Sequence, residues 1–230
     1  MIRLFAALLL LMPLAAHADS RNIMLTDFSS IRVDGPFRVT VATGLSQGAE
    51  VSGDQRAIDR VDVRVQGTTL IISASPNAWG GWPGKQHTPA TIAVKARSIR
   101  EAAVRGGGVL TIDSTDAQHV NLTVTGSGSM TVGAVHADNL AVTLVGSGSV
   151  RLAGEALQAR FANSGTGRID ADGLDVHDLK VVSEGPGESR FHADRSADVT
   201  ALGLGNITVS GGAACTVRGP GPVQCDHTQP

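Results

Sequence analysis

No tyrosine occurs in the 230 residues, and tryptophan and phenylalanine number only 2 and 5. Lysine and arginine total 19 against 21 acidic residues, a net charge of −2, and no basic block stands anywhere in the chain. That leaves no electrostatic footprint for nucleic acid. Beyond the first residues no apolar run is long enough for a membrane helix. The 2 cysteines are ten residues apart, at Cys215 and Cys225, so no Cys-x-x-Cys redox pair is present. The Gly-x-Ser-x-Gly elbow of many hydrolases is missing as well. Gly-x-Gly is frequent, but no helix pattern follows it to hold a phosphate, which disfavours a nucleotide site.

What the chain has is glycine, in register. First glycines of a Gly-x-Gly pattern fall at Gly106, Gly126, Gly146, Gly165, Gly185, Gly203 and Gly219, at intervals of 20, 20, 19, 20, 18 and 16. Their second members include Gly108, Gly128, Gly148, Gly167, Gly187 and Gly205. Four residues before the first glycine stand Leu122, Val142, Phe161, Val181, Val199 and Cys215; four after stand Leu110, Met130, Val150, Ile169, Ser189, Ile207 and Val223. Apolar and polar residues alternate on either side, the period of half-buried strands. Each copy reads strand, glycine turn, strand, corner. The turns use glycine because backbone with positive φ strains other residues. The fold class expected is all-β: a parallel β-solenoid with coils of about 20 residues, each coil burying its apolar side against the next. A run of antiparallel hairpins with Gly-x-Gly tips is the rival geometry. Recurrence of the same residue types at the same offset favours the solenoid.

The start of the chain reads as a secretory signal over residues 1–18. Met1-Ile2-Arg3 is a short basic region, Leu4 to Ala15 is apolar, and Ala16-His17-Ala18 offers a cleavage site before Asp19. The expected location is exported, periplasmic or at the cell surface of a bacterium, with no membrane span after the signal is removed. Residues 19–104 form a β-rich segment, 105–225 the Gly-x-Gly solenoid and 226–230 a tail. Export permits a Cys215–Cys225 disulfide. The pair lies five residues either side of Pro220 and would tie the strands of a pinched terminal coil.

Within the first segment, Val39 and Val41, then Val61, Val63 and Val65, then Leu70 to Ile72 mark strands, and Asp54 to Asp59 allows one helical turn. Residues 76–90 are a Gly/Pro-rich loop carrying Trp79 and Trp82. Those tryptophans are the candidate ligand contacts, able to stack on a sugar or grip a partner; the alternative is a loop that covers an open sheet edge.

The opening Phe28-x-x-Ile31-x-Val33-x-Gly35-Pro36-Phe37-x-Val39-x-Val41 is followed by Gly53-Asp54, Ile58-Asp59 and the Val61 to Ile72 run. With the Gly-Ser-Gly-Ser turns at Gly126 and Gly146, these residues resemble the head GIN domain family, labelled putative auto-transporter adhesin. The resemblance covers roughly Phe28 to Val209. It implies an all-β stack of strands in an exported bacterial protein, and it carries over no catalytic residue.

Histidines and aspartates gather near the corners opposite the turns: Asp116 with His119, His136 with Asp138, Asp175 with His177 and Asp178, His192 with Asp194. Their offsets from the following glycine differ between copies, so they read as polar corner residues facing water rather than a metal set. Ser or Thr stands in the turns where calcium-binding repeats place Asp, which speaks against calcium. Asp170, Asp172, Glu184 and Glu188 are the carboxylates available to a polysaccharide-cleaving enzyme. The function expected is a non-catalytic, adhesin-like or envelope-binding module whose partner is a surface glycan or protein, with no cofactor, metal or catalytic set. The alternatives are a carbohydrate-active enzyme on the same scaffold and a structural periplasmic spacer.

Overall fold

A computed structural model describes residues 19–75 and 90–226. The signal-like leader, Trp79 and Trp82, and residues 227–230 lie outside the described residues. In chain order, β1 (Asp19–Ile23), β2 (Ser30–Asp34), β3 (Arg38–Ala42) and β4 (Gly48–Gly53) lead to a short helix, α1 (Gln55–Asp59). There follow β5 (Val61–Gln66), β6 (Thr69–Ala74), β7 (Thr91–Lys95), β8 (Glu101–Arg105), β9 (Val109–Asp116) and β10 (His119–Gly126). Then come the long strands β11 (Ser129–Gly146), β12 (Ser149–Gly165), β13 (Arg168–Glu184) and β14 (Ser189–Ala201), and finally β15 (Ile207–Ser210), β16 (Ala214–Arg218) and β17 (Val223–Cys225).

The chain winds as a parallel β-solenoid with two walls. The entry wall holds the strands that run into the glycine turns: β6, β2, β8, β10, the later halves of β11 to β14, and β16, all parallel. The exit wall holds the strands that leave them: β7, β3, β9, the earlier halves of β11 to β14, β15 and β17. The long strands belong to both walls because they bend round the corner opposite the turns, with short irregularities in the pairing there.

Successive coils stack residue on residue. Leu122 pairs with Val142, Val142 with Phe161, Phe161 with Val181 and Val181 with Val199, and all five are at most 1% exposed. The facing column on the exit wall runs Leu110, Met130, Val150, Ile169, Ser189, Ile207, Val223. Each buried aliphatic in such a column contributes about 1.5–3 kcal/mol from water exclusion, and none of it is available to an isolated coil. Among the buried polar residues of the core, Asn163 and Ser189 form a pair. Asn163 donates to the carbonyl of Gly167 (3.0 Å) and to the hydroxyl of Ser189 (3.3 Å), bracing its own turn from the inside.

The stack extends further toward the N-terminus than the 20-residue spacing indicates. Ile31 pairs with Ala102, Val33 with Val104, Val39 with Leu110 and Val41 with Ile112. Gly35 therefore occupies the turn column, with Ile31, Val39 and Val41 at the same offsets as Ala102, Leu110 and Ile112 around Gly106. This first coil lies between the β6/β7 coil, made later in the chain, and the β8/β9 coil. Beyond β6 and β7 the direction reverses. β5 runs antiparallel to β6, β4 antiparallel to β7, and β1 antiparallel to β4. α1 caps this end of the core with Ala57 and Ile58 buried, and its first turn is held by Asp54, whose carboxylate accepts from the Ala57 amide at 2.8 Å.

The other end departs from the sequence reading by two residues. Cys215 pairs with Ala197, not with Val199, whose partner is Val217. The residue stacked on Gly203 is Gly221, and Gly219 lies over Ala201. Val223 and Cys225 still pair with Ile207 and Val209, so the last turn is two residues shorter than the one before it. The shortening draws the strands together, and a Cys215–Cys225 disulfide closes the coil with its Cα atoms 6.5 Å apart.

At the turns the coils approach so closely that side chains do not fit. A Cβ on Gly148 would stand 2.3 Å from the carbonyl oxygen of Gly128 and 3.0 Å from Val124 Cγ1. The obstruction is backbone, which cannot swing aside. Gly148→Ala is expected to destabilise the protein by about 1–3 kcal/mol. Gly212→Ala, where nothing lies within 4 Å, is expected to stay within about 0.5 kcal/mol; urea unfolding of the two variants checks the pair. Reducing the disulfide should cost the terminal coil about 2–3 kcal/mol. Hydrogen exchange should then show Ala214–Arg218 losing protection before the strands around Leu122 do.

Candidate functional site

Because the coils stack in register, any outward position becomes a row running along the solenoid, with about 4.8 Å between neighbours. The corner opposite the turns carries such a row. Asp116 pairs with His136, His136 with Glu155, Glu155 with Asp175, Asp175 with His192, and His192 with Ser210. The offsets along the chain hide this alignment. Irregularities after Val132, Arg151 and Ala171 absorb the unequal coil lengths and restore it. Beside it, His177 Nδ1 lies 3.6 Å from Asp194. A furrow of about 380 Å³ runs along this corner between Asp116, Asp138, Glu155 and His177, with Leu157 half exposed on its wall. Among the described residues no three of these His, Asp or Glu side chains converge as metal ligands.

At the far end of the row, Ser210 joins three coils. Its hydroxyl lies 3.0 Å from His192 Nδ1 and donates to Asp172 at 2.9 Å, while Asp175 stays 3.9 Å from His192 Nε2. The other carboxylates considered for glycan cleavage are spread out and engaged. Asp170 meets Arg151 at 3.2 Å, Glu188 binds Arg168 and Arg190, and Glu184 accepts from Ser164 on the opposite wall. They do not form an acid and base pair around one cleft.

The larger depression, about 640 Å³, lies on the outer face of the entry wall. Two rows bound it. One is His119, Asn139 and Gln158; the other is Glu101, Asn121, Ala141 and Arg160. The period of two explains the arrangement, since Val120, Leu140 and Ala159 between the rows point inward and are buried. Ala141, exposed and the shortest side chain in its row, stands between Asn121 and Arg160. At one end Glu101 accepts from Ser30 (3.1 Å) and Arg100 donates to Ser29 (3.1 Å). At the other, Arg160 pairs in register with Lys180 and has no ion-pair partner among the described residues, while Lys180 stands in register with Asp198 and shares that residue's charge with Arg218. None of these groove residues except His119 stood out in the sequence. Asn, Gln and Ala on an exposed strand are chemically plain, and only their alignment makes a site.

Just past the groove, Asp178 continues the His119–Asn139–Gln158 row. The guanidinium of Arg195 and the hydroxyl of Ser196 both bond its carboxylate and hold its pKa down at about 2. Arg218 likewise lowers Asp198.

The architecture defines a single-chain parallel β-solenoid with polar rows on its outer faces. The chain belongs to the family described as putative auto-transporter adhesin, head GIN domain, whose model matches residues 27–213. Solved structures of similar fold include a putative adhesin from Bacteroides fragilis NCTC 9343, with a TM-score of 0.81, 19% identity, and coverage of 92% of this chain and 98% of that one. A putative lipid binding protein from Parabacteroides distasonis ATCC 8503 aligns with a TM-score of 0.71 at 19% identity, covering 92% and 98% of the two chains. A putative adhesin from Parabacteroides merdae ATCC 43184 aligns with a TM-score of 0.69 at 21% identity, covering 92% and 97%. At these identities the likeness is one of fold. No curated protein matches the chain. Among the described residues no helix is long and apolar enough to cross a membrane.

A depressed carboxylate pKa means that the folded state releases the Asp178 proton more readily than the unfolded chain. Its contribution is full above about pH 4, the ordinary Asp value, and is lost as the pH falls toward about 2. Asp178→Asn should therefore leave a shallower fall in melting temperature between those pH values, measured against wild type. Because the group is exposed the difference will be small.

Proposed function

We propose that this protein is a non-catalytic, exported binding module of the bacterial envelope or cell surface, adhesin-like in its action, and that it engages its partner on the outer face of the entry wall. The observation that carries the reading is the groove between the His119–Asn139–Gln158 row and the Asn121–Ala141–Arg160 row. Its polar side chains are set at fixed spacing by a rigid wall and are not used to hold the fold together. The family description, and the two similar structures described as putative adhesins, support the same reading. Trp79 and Trp82, on a segment joining two strands of the stack, are proposed as a second point of contact. Chemically they suit the face of a sugar ring or an apolar partner side chain.

The test is retention of the mature chain, Asp19 to Pro230, on the envelope fraction of its own bacterium. Wild-type protein is expected to co-sediment and to release intact material on elution. Ala141→Trp, which fills the groove from an exposed position, is expected to lower retention roughly tenfold, about 1.4 kcal/mol, at an unchanged melting temperature. Replacing Trp79 and Trp82 with Ala tests the second contact separately. Recovery of trimmed glycan products would replace the binding reading with an enzymatic one. Absence of any retained component would leave a spacer.

A further inference from the structure

The groove's side chains also specify a ligand chemistry. Resting on the proposal that this groove is the binding site, we infer that its ligand is an acidic glycan, a chain of sugar rings bearing carboxylates. Three observations converge on this class. First, the amides of Asn121, Asn139 and Gln158 stand on adjacent strands, about 4.8 Å apart along a row and about 6.6 Å between rows. Each amide carries both donors and an acceptor. Sugar hydroxyls carry both as well, so a run of amides at ring-scale spacing matches neighbouring hydroxyl pairs. Among the described residues none of the three amides is hydrogen-bonded to another side chain. His119 adds a further ring nitrogen at the end of its row.

Second, the charge is graded along the groove. At the Arg160 end, Lys180 sits next to Arg160 in register; Arg160 is exposed and has no ion pair among the described residues, while Lys180 lies beside Asp198, which Arg218 already binds. A guanidinium fork binds a carboxylate with two parallel hydrogen bonds. At the other end Glu101 stands beside Arg100, so that end offers no net cation. The ligand's carboxylate therefore belongs at Arg160, and its uncharged hydroxyls at the amides. On the neighbouring coils Arg151, Arg168, Arg190, Arg195 and Arg218 are by contrast committed to Asp or Glu.

Third, the groove disfavours a peptide strand. The strands beneath it, β10, β11 and β12, are paired on both sides, so no free edge is available to extend the sheet. The apolar residues that line its floor, Val120, Leu140 and Ala159, are at most 3% exposed and offer no side-chain slot. Recognition here falls to side-chain donors and acceptors, which is how a hydroxyl-rich ligand is read.

The experiment titrates the full mature chain with oligogalacturonate, with the same oligomer after methyl esterification, and with a polyphosphate of similar length. Calorimetry reads binding and thermal denaturation reads folding. The acidic oligomer is expected to bind, to weaken with added salt, and to lose at least about tenfold in affinity on esterification. Arg160→Gln is expected to remove that discrimination while leaving the weaker, hydroxyl-dependent binding. Ala141→Trp should abolish binding to both oligomers without a change in melting temperature. Equal affinity for the acidic and esterified forms, no binding of either, or tighter binding of polyphosphate overturns the assignment of an acidic glycan. The envelope-retention effect of Ala141→Trp is read independently. If it persists while oligogalacturonate fails, the groove is the site and the ligand class is wrong. If Ala141→Trp leaves retention and oligogalacturonate binding unchanged, the groove itself is wrong.

Discussion

Everything in this molecule depends on how closely one backbone turn can lie on the next. Parallel strands of neighbouring coils must sit at hydrogen-bonding distance along their whole length, including the point where each coil reverses. At the turns that distance leaves no volume for a β-carbon. The carbonyl of Gly126 accepts from the amides of Ser147 and Gly148, and the carbonyl of Gly146 from the amide of Gly167. The turns therefore hydrogen-bond to one another as strands do. Gly146, with φ of +114°, also takes a backbone conformation that side chains rarely tolerate. Glycine at this column is a packing requirement first and a conformational one second, since Gly148 is crowded without a positive φ.

From that constraint the rest follows in order. In-register turns force in-register walls, and in-register walls force each inward position to become a column. A column can be aliphatic throughout, as at Leu122–Val142–Phe161–Val181–Val199. It can also carry a polar residue where the turn needs one, as at Asn163, whose amide satisfies the Gly167 carbonyl. The ends are where the logic fails, because a terminal coil has a neighbour on one side only. One end is closed by reversed strands and α1. The other is closed by a turn shortened by two residues and locked by the Cys215–Cys225 bond. Both are solutions to the same problem of an uncovered core face.

The glycine ladder, the strand alternation and the parallel stack are legible in the sequence because each coil repeats the same steric demand. Other features are not, for physical reasons. The Gly35 coil carries Ile31, Val33, Val39 and Val41 at the repeat's offsets, yet Pro36-Phe37 replaces the x-Gly of the motif, and 71 residues separate it from its neighbour at Gly106. A pattern defined by Gly-x-Gly at one period passes over it, although its apolar offsets would have found it. The last coil misleads in the opposite way. Gly219-Pro220-Gly221 matches the motif, but the pairing is set by which residues can lie over Ala201 and Gly203, and that moves Cys215 off the Val199 column. The acid and histidine row at the corner was obscured because irregular residues in β11, β12 and β13 change the count between glycine and corner without changing the stacking.

The groove was the least visible feature, and the reason bears on how such a scaffold acquires function. A solenoid wall presents rows, and a row of similar side chains is flat. A depression needs one short residue among longer ones, and Ala141 between Asn121 and Arg160 provides it without touching the core. Neither the fold nor the buried columns register such a change, since position 141 points to solvent on a strand already paired on both sides. The residues that hold this structure together and those proposed to recognise a ligand are therefore separable, alternating along the same strand. That separation lets low sequence identity coexist with closely similar folds, because the outward rows can change without disturbing the glycine turns.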